Sequence, residues 1–237
     1  MTKLVILGAG YGAWEVISLI EDINNRSSTY DILGILDDNP LLHGNLIKQY
    51  PILNELNHWS HYDKKVRFVF AIGNYQNKSK RYELIKSLGI PKDRYENIIH
   101  PNAKLWTEIP LGKGIIIHDG CIIHPLTKIN DFVVISAGSI LGVKNLVGSY
   151  SLIAANITTA TDILFGCGTF LGTGVTIGPN VIMGVCSMAA VGSVILKNVD
   201  SGYSVIGNPA RAYQKENIDV TWEQLWEKEK NKYEDYF

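Results

Sequence analysis

The 237-residue sequence predicts an α/β domain followed by a β-solenoid, and three observations predict it. From Leu105 to Ile195 nearly every sixth residue is apolar, through Leu111, Ile117, Ile123, Ile129, Ile135, Leu141 and onward, with Thr159 the polar exception. A period of six fits neither a helix nor a simple strand, which repeat at about 3.6 and 2. It marks a hexapeptide β-helix, in which each short strand places one apolar side chain inside a narrow prism. The residue two before each apolar position is usually small or β-branched, as at Cys121, Thr127, Val133, Ser139, Ser151, Thr169, Val175, Ser187 and Ser193. The first hundred residues instead alternate apolar runs, glycine turns and helical spacing, the pattern of a small parallel α/β sheet.

In chain order, Lys3-Leu-Val-Ile-Leu7 is a continuous apolar run, as in a strand buried on both faces. It enters Gly8-Ala9-Gly10-Tyr11-Gly12-Ala13, and Trp14 to Ile20 then has helical spacing. A second strand, Tyr30 to Leu36, ends at the turn Asp37-Asp38-Asn39-Pro40. A third, Val66 to Ile72, ends at Gly73-Asn74, and Lys78 to Leu88 forms an amphipathic helix stopped by Gly89 and Pro91. A linker near 92–101 leads into the repeat, which runs to about 207. Three segments follow: 1–99 as a Rossmann-like α/β domain, 100–213 as the β-helix and 214–237 as a helical tail. Glycine often follows the apolar hexad position (Gly112, Gly142, Gly148, Gly166, Gly172, Gly178, Gly184), where it is expected to take unusual corner angles. Stacked coils leave a raw edge at each end. The tail, with Trp222, Leu225, Trp226 and Tyr233 on one predicted helix, is expected to cap the far end.

Composition narrows the function classes. Hydrophobic residues make up 46% and charged residues 19%, which is a globular balance. A net charge of -1 without any Lys/Arg run gives no reason to expect nucleic acid or an anionic membrane as partner. No apolar stretch suits membrane insertion, and no signal-peptide pattern is visible, so a soluble, cytoplasmic protein is expected. Cys121, Cys167 and Cys186 are odd in number and lack metal-ligand spacing; they read as small buried thiols, and no metal is expected.

The glycine turn after the first strand has the form of a phosphate site, because helix-start N–H groups and the helix dipole favour an anion there. Gly8-x-Gly10-x-x-Ala13 also satisfies the loose dinucleotide fingerprint, so NAD competes with a sugar nucleotide as the ligand. Against NAD, the α/β segment is about half a full doubly wound domain. A purely structural role for the glycines, close strand–helix packing, stays open.

The hexads, ending in Gly207-Asn208-Pro209-Ala210-Arg211, resemble the left-handed β-helix acyltransferases. Gly8-Ala9-Gly10, Gly34-Ile35-Leu36-Asp37-Asp38-Asn39-Pro40 and Ala71-Ile72-Gly73-Asn74 narrow the resemblance to PglD/NeuD-type sugar-nucleotide N-acetyltransferases. The resemblance implies a left-handed parallel β-helix, a homotrimer, and acetyl-CoA lying between the β-helices of adjacent subunits. It also implies a nucleotide-linked amino sugar, of the dideoxy class, as acceptor in bacterial surface-glycan biosynthesis. Gly8, Gly10, Tyr11, Asp37, Asp38, Gly73 and Asn74 would hold the sugar nucleotide, and Gly174, Gly192, Pro209 and Arg211 the CoA. The family turn is commonly Gly-x-Gly-Gly-x-Gly, and Tyr11 and Ala13 replace two of those glycines.

The catalytic positions depart further. The family places a His followed by Asp or Glu in the hexad matching Leu141–Leu146, and a second His half a coil on; here those positions are Val143, Lys144 and Leu152. Val and Leu bind no proton, and Lys is ordinarily charged already. His124 lies one coil beneath Gly142 and is the candidate displaced base, with a corner residue before Pro125 as its bland reading. Ser136 falls where the family has a polar residue near the sugar. His118 belongs to another corner of the prism. Lys144 is also read as a contact for a phosphate or carboxylate of the substrate. Three functions are carried: a slow N-acetyltransferase without the standard base, an inert sugar-nucleotide-binding scaffold, and an O-acetyltransferase on a sialic-acid-like sugar. The last ranks lowest, since an alcohol needs a base more than an amine does.

Overall fold

The computed structural model describes residues 1–73 and 78–234, which divide into two compact units, Met1–His100 and Pro101–Phe237. The first unit is a five-stranded sheet with strands β1 (Thr2–Leu7), β2 (Tyr30–Leu36), β3 (Leu46–Ile47), β4 (Tyr50–Asn54) and β5 (Arg67–Phe70), in the order β3-β4-β2-β1-β5. All pairings are parallel except the β3–β4 hairpin, which the sequence reading did not anticipate. Its members alternate poorly and are partly exposed, so they carry no strong apolar period. Central β1 explains its own composition, since Leu4 to Leu7 are completely buried. Helix α1 (Tyr11–Arg26) buries Ala13, Val16, Ile17, Ile20 and Ile23 on the sheet, the stripe a 3.6 period dictates. Helix α2 (Lys78–Leu88) follows β5.

The second unit is a parallel β-helix of two-residue strands in three ladders. Residues pair with those 18 positions on: Ile122 with Ile140, Leu146 with Leu164, Leu152 with Phe170. Apolar hexad residues such as Ile117, Ile123, Leu141 and Phe165 are fully buried, as are the residues two before them, Cys121, Thr127, Ser139 and Asn145 among them. All three cysteines are buried.

The expectation for the glycines is corrected. Left-handed backbone falls three residues after the apolar position, at every sixth residue from Gly114 to Gly192, and not at the residue just after it. That column accepts Gly120 and Gly138 but also Leu126, Phe132, Lys144, Tyr150, Asn156 and Asp162. The glycines directly after the apolar position serve closeness instead. A Cβ on Gly142 would lie 2.2 Å from the Ala160 carbonyl oxygen, and one on Gly148 2.6 Å from the Cys167 nitrogen. Coils about 4.8 Å apart leave no room for a side chain directed along the stack.

The tail is corrected too. The last coil is covered by a hairpin, Tyr203–Gly207 against Ala210–Lys215, turned by a cis Asn208–Pro209 bond. Helix α3 (Val220–Glu234) lies along one flank of the coils: Trp222 packs edge-on to Tyr150, and the Tyr233 hydroxyl donates to the Leu126 carbonyl at 2.9 Å. Trp222 of α3 meets there the stacked corner rings of Phe132 and Tyr150.

Candidate functional site

In the first unit the candidate residues gather at the C-terminal ends of β1, β2 and β5, where open parallel sheets place their ligands. Gly8 has φ +100, and its N–H donates to the Leu36 carbonyl at 2.8 Å. A Cβ there would fall 2.2 Å from Ile72 Cγ1, so this glycine is required on both counts. Gly10 is the N-cap of α1 and offers no side chain to its free N–H groups. Tyr11 is 92% exposed at the first helical position. Gly12 approaches the chain just beyond β5 so closely that a Cβ would sit 2.1 Å from the Ala71 carbonyl oxygen, the close strand–helix packing that the sequence left open. No linear motif separates that packing role from a phosphate role.

The acidic pair is engaged within the fold. Asp37 accepts the Ala9 N–H at 2.7 Å through one carboxylate oxygen and the Asn39 N–H at 2.9 Å through the other. Asp38 accepts the Leu56 N–H at 2.8 Å. Together with the Gly8 bond, this satisfies the first two N–H groups of the glycine turn internally. The N–H groups left for an anion are those at the start of α1. Gly73 is exposed with open space around it, and Asn74 lies outside the described residues.

In the second unit, His124 occupies the corner 124–127, with its ring edge-on to Trp106 at 4.8 Å between centroids. Its backbone N–H donates to Leu141 at 3.0 Å, which places Gly142 on the next coil directly along the stack. Val143 and Lys144 form the tip of that next corner. Lys144 takes left-handed backbone, φ 59, and its ammonium meets the Asp162 carboxylate at 3.5 Å with both side chains about two-fifths exposed. Such a pair is worth little in water. Leu152 is half-buried on the second face beyond that corner, in the ladder between Val134 and Phe170.

Ser136 stands at a different corner, 136–139, one coil from His118 in the same column. Within one chain, therefore, the structure does not bring Ser136 and His124 together. Gly174 and Gly192 are consecutive left-handed residues of that same corner column, φ 73 and 69, and open space surrounds both. Pro209 and Arg211 line a 580 Å³ pocket near the last coil, beside Lys197, Tyr203 and Val205. Asp200 lines it as well, so the concavity holds two cations, one carboxylate and apolar walls; the two cations suit the phosphates of a ligand with an organic ring. Among the described residues no group of three or more His, Cys, Asp or Glu side chains is arranged to hold a metal, and no helix is long and apolar enough to cross a membrane.

Residues 3–85 match the family model of the PglD N-terminal domain. No curated protein matches the sequence. Among solved structures, PerB from Caulobacter crescentus in complex with CoA and GDP-perosamine superposes with a TM-score of 0.76 at 23% identity, over 90% of this chain and 97% of that one. The acetyltransferase domain of PglB from Neisseria gonorrhoeae in complex with acetyl coenzyme A gives 0.76 at 20% identity, over 90% and 99%. WeeI from Acinetobacter baumannii gives 0.61 at 23%, over 90% and 100%. The first unit thus matches the PglD N-terminal domain over residues 3–85, and the chain as a whole shares the fold of PerB, the PglB acetyltransferase domain and WeeI.

Proposed function

We propose that the protein is an acetyl-CoA-dependent N-acetyltransferase acting on the amino group of a nucleotide-linked amino sugar, with a non-standard catalytic corner. One observation carries the reading: a PglD N-terminal domain and the β-helix of the sugar N-acetyltransferase fold occur in one chain, over nine-tenths of its length. The pocket lined by Lys197, Pro209 and Arg211 supports phosphate binding by CoA, and the open corners at Gly174 and Gly192 support passage of its narrow arm along the coils. The turn at Gly8–Gly10, with the start of α1, is assigned to the sugar nucleotide.

The chemistry needs few parts. The neutral amine attacks the thioester carbonyl and a C–N bond forms; the C–S bond breaks; the amine proton passes to a base and the CoA thiolate is finally protonated. Val143, Lys144 and Leu152 supply no base. His124 is the nearest imidazole along the stack, and we assign it that role. Losing a well-placed general base costs roughly 10²–10⁴ in rate, so turnover slower than that of an enzyme with the standard base is expected. Orientation of the two reactants accounts for the remainder.

A homotrimer is part of the reading. Val191, Leu196, Ile206 and Tyr213 are more than half exposed near the last coils, more apolar surface than isolated side chains usually present. Cytoplasmic location is part of the same reading, and the burial of Cys121, Cys167 and Cys186 as small thiols accords with it. A second reading, an inert sugar-nucleotide-binding scaffold, is favoured by the replacement of all three expected catalytic side chains. Thiol release from acetyl-CoA with a panel of nucleotide-linked amino sugars separates the two. Release that is lost in His124→Ala supports the displaced base, release that ignores it supports a base-free site, and binding without release supports the scaffold.

A further inference from the structure

The interior of the β-helix is polar in an unusual way behind the corner Gly142-Val143-Lys144. Thr159 is the single polar residue at the apolar hexad positions from Leu105 to Ile195, and Asn145 the single amide in the column two residues before them. Both are buried, Asn145 completely. They bond to each other, Asn145 Nδ2 donating to Thr159 Oγ1 at 2.7 Å. The same Thr159 oxygen accepts the Gly142 N–H at 2.9 Å. From the coil on the other side, Thr127 donates to the Gly142 carbonyl at 2.7 Å and accepts the Asn145 N–H at 3.1 Å. The Ile163 N–H closes the network on Asn145 Oδ1 at 2.9 Å.

This ring replaces ordinary ladder bonding at one place. Elsewhere in the column the corner N–H donates to a main-chain carbonyl of the next coil, as His124 does to Leu141 and Ala160 to Ile177. At Gly142 the acceptor is a side chain, and Ile140 pairs with Thr158 without the following Leu141–Thr159 pair. An isoleucine at 159, as at the equivalent 123, 177 and 195, would fill the prism and keep the ladder. Buried polar networks are seldom better than apolar packing for stability alone, but they fix geometry when every member is satisfied.

We propose that Thr159 and Asn145 are positioning residues that hold the corner Gly142–Lys144 in the geometry the acceptor amine requires. This rests on the transferase reading of that corner. The test is Thr159→Val, nearly equal in volume and unable to accept either hydrogen bond, with Thr159→Ser as the conservative control. In Thr159→Val, kcat/KM for the sugar nucleotide should fall about tenfold, the size of one lost buried hydrogen bond, with KM for acetyl-CoA unchanged. Hydrogen exchange across residues 140–146 should accelerate, and Thr159→Ser should restore both. Unchanged exchange in Thr159→Val overturns the proposal, as does a variant that loses thermal stability while keeping wild-type kinetic constants. A wild-type protein without turnover contradicts the transferase reading instead, and the exchange measurement still decides whether the corner is held.

Discussion

At the scale of single residues, glycines in this chain do three different things, and only their surroundings separate them. Gly8 takes a left-handed angle, Gly12 admits a neighbouring carbonyl, and Gly10 does neither. Gly12→Ala is expected to cost about 1–3 kcal/mol through overpacking against rigid backbone. Gly10→Ala meets no clash, since open space surrounds it, and should cost only about 1 kcal/mol, the N-cap preference for Gly over Ala; thermal unfolding of the two variants gives the comparison. The sequence pattern reveals which residues point inward, because apolar and small side chains repeat every six positions. It does not reveal the left-handed corner, whose occupants include Gly, Leu, Phe, Lys, Tyr, Asn and Asp and so share no chemistry. Nor does Asp37 announce its bond to Ala9, since an acidic residue after a second strand reads equally well as a ribose ligand. Arg211→Ala is expected to raise KM for acetyl-CoA and leave KM for the sugar nucleotide unchanged, a split steady-state kinetics will show.

At the scale of elements, α3 shows how a predicted helix can be right in kind and wrong in place. Its aromatic stripe was legible, but its destination depended on corner residues Tyr150 and Gly168, which no periodicity marks as partners. Docking also buries Glu229, which accepts the Ser149 N–H and Asn130 Nδ2 at 3.0 and 2.9 Å and meets the Ser149 hydroxyl and the Cys167 thiol. Burial pushes the Glu229 carboxyl above the usual carboxylate range despite those donors, and pushes the Cys167 thiol up as well. A carboxyl held above its unfolded value binds its proton more tightly when folded. Its stabilising contribution is therefore complete below the ordinary carboxylate pKa, about 4.3, and is lost as pH rises through the raised value. Glu229→Ala leaves buried donors unpaired, at a cost of about 1–3 kcal/mol, and should also remove that pH dependence. Denaturant titrations at several pH values, with hydrogen exchange over α3, measure both.

At the scale of the whole molecule, two units of different period occur in one chain, and that combination was more informative than any single motif. The α/β half was legible because continuous apolar strands alternate with glycine turns; its β3–β4 hairpin was not, being short and half exposed. The solenoid half was legible because a six-residue period has few physical interpretations. What the period could not supply was the catalytic corner, where the departures at Val143, Lys144 and Leu152 are individual residues in an otherwise regular array. Light scattering in solution should give the mass of three chains. The most direct measurement is mass spectrometry of a nucleotide-linked amino sugar incubated with acetyl-CoA and the protein. Slow appearance of the amide-acetylated sugar nucleotide, matched by free CoA thiol, is the predicted result. No acetylated product from any amino sugar of the panel, with no detectable CoA binding, would contradict it.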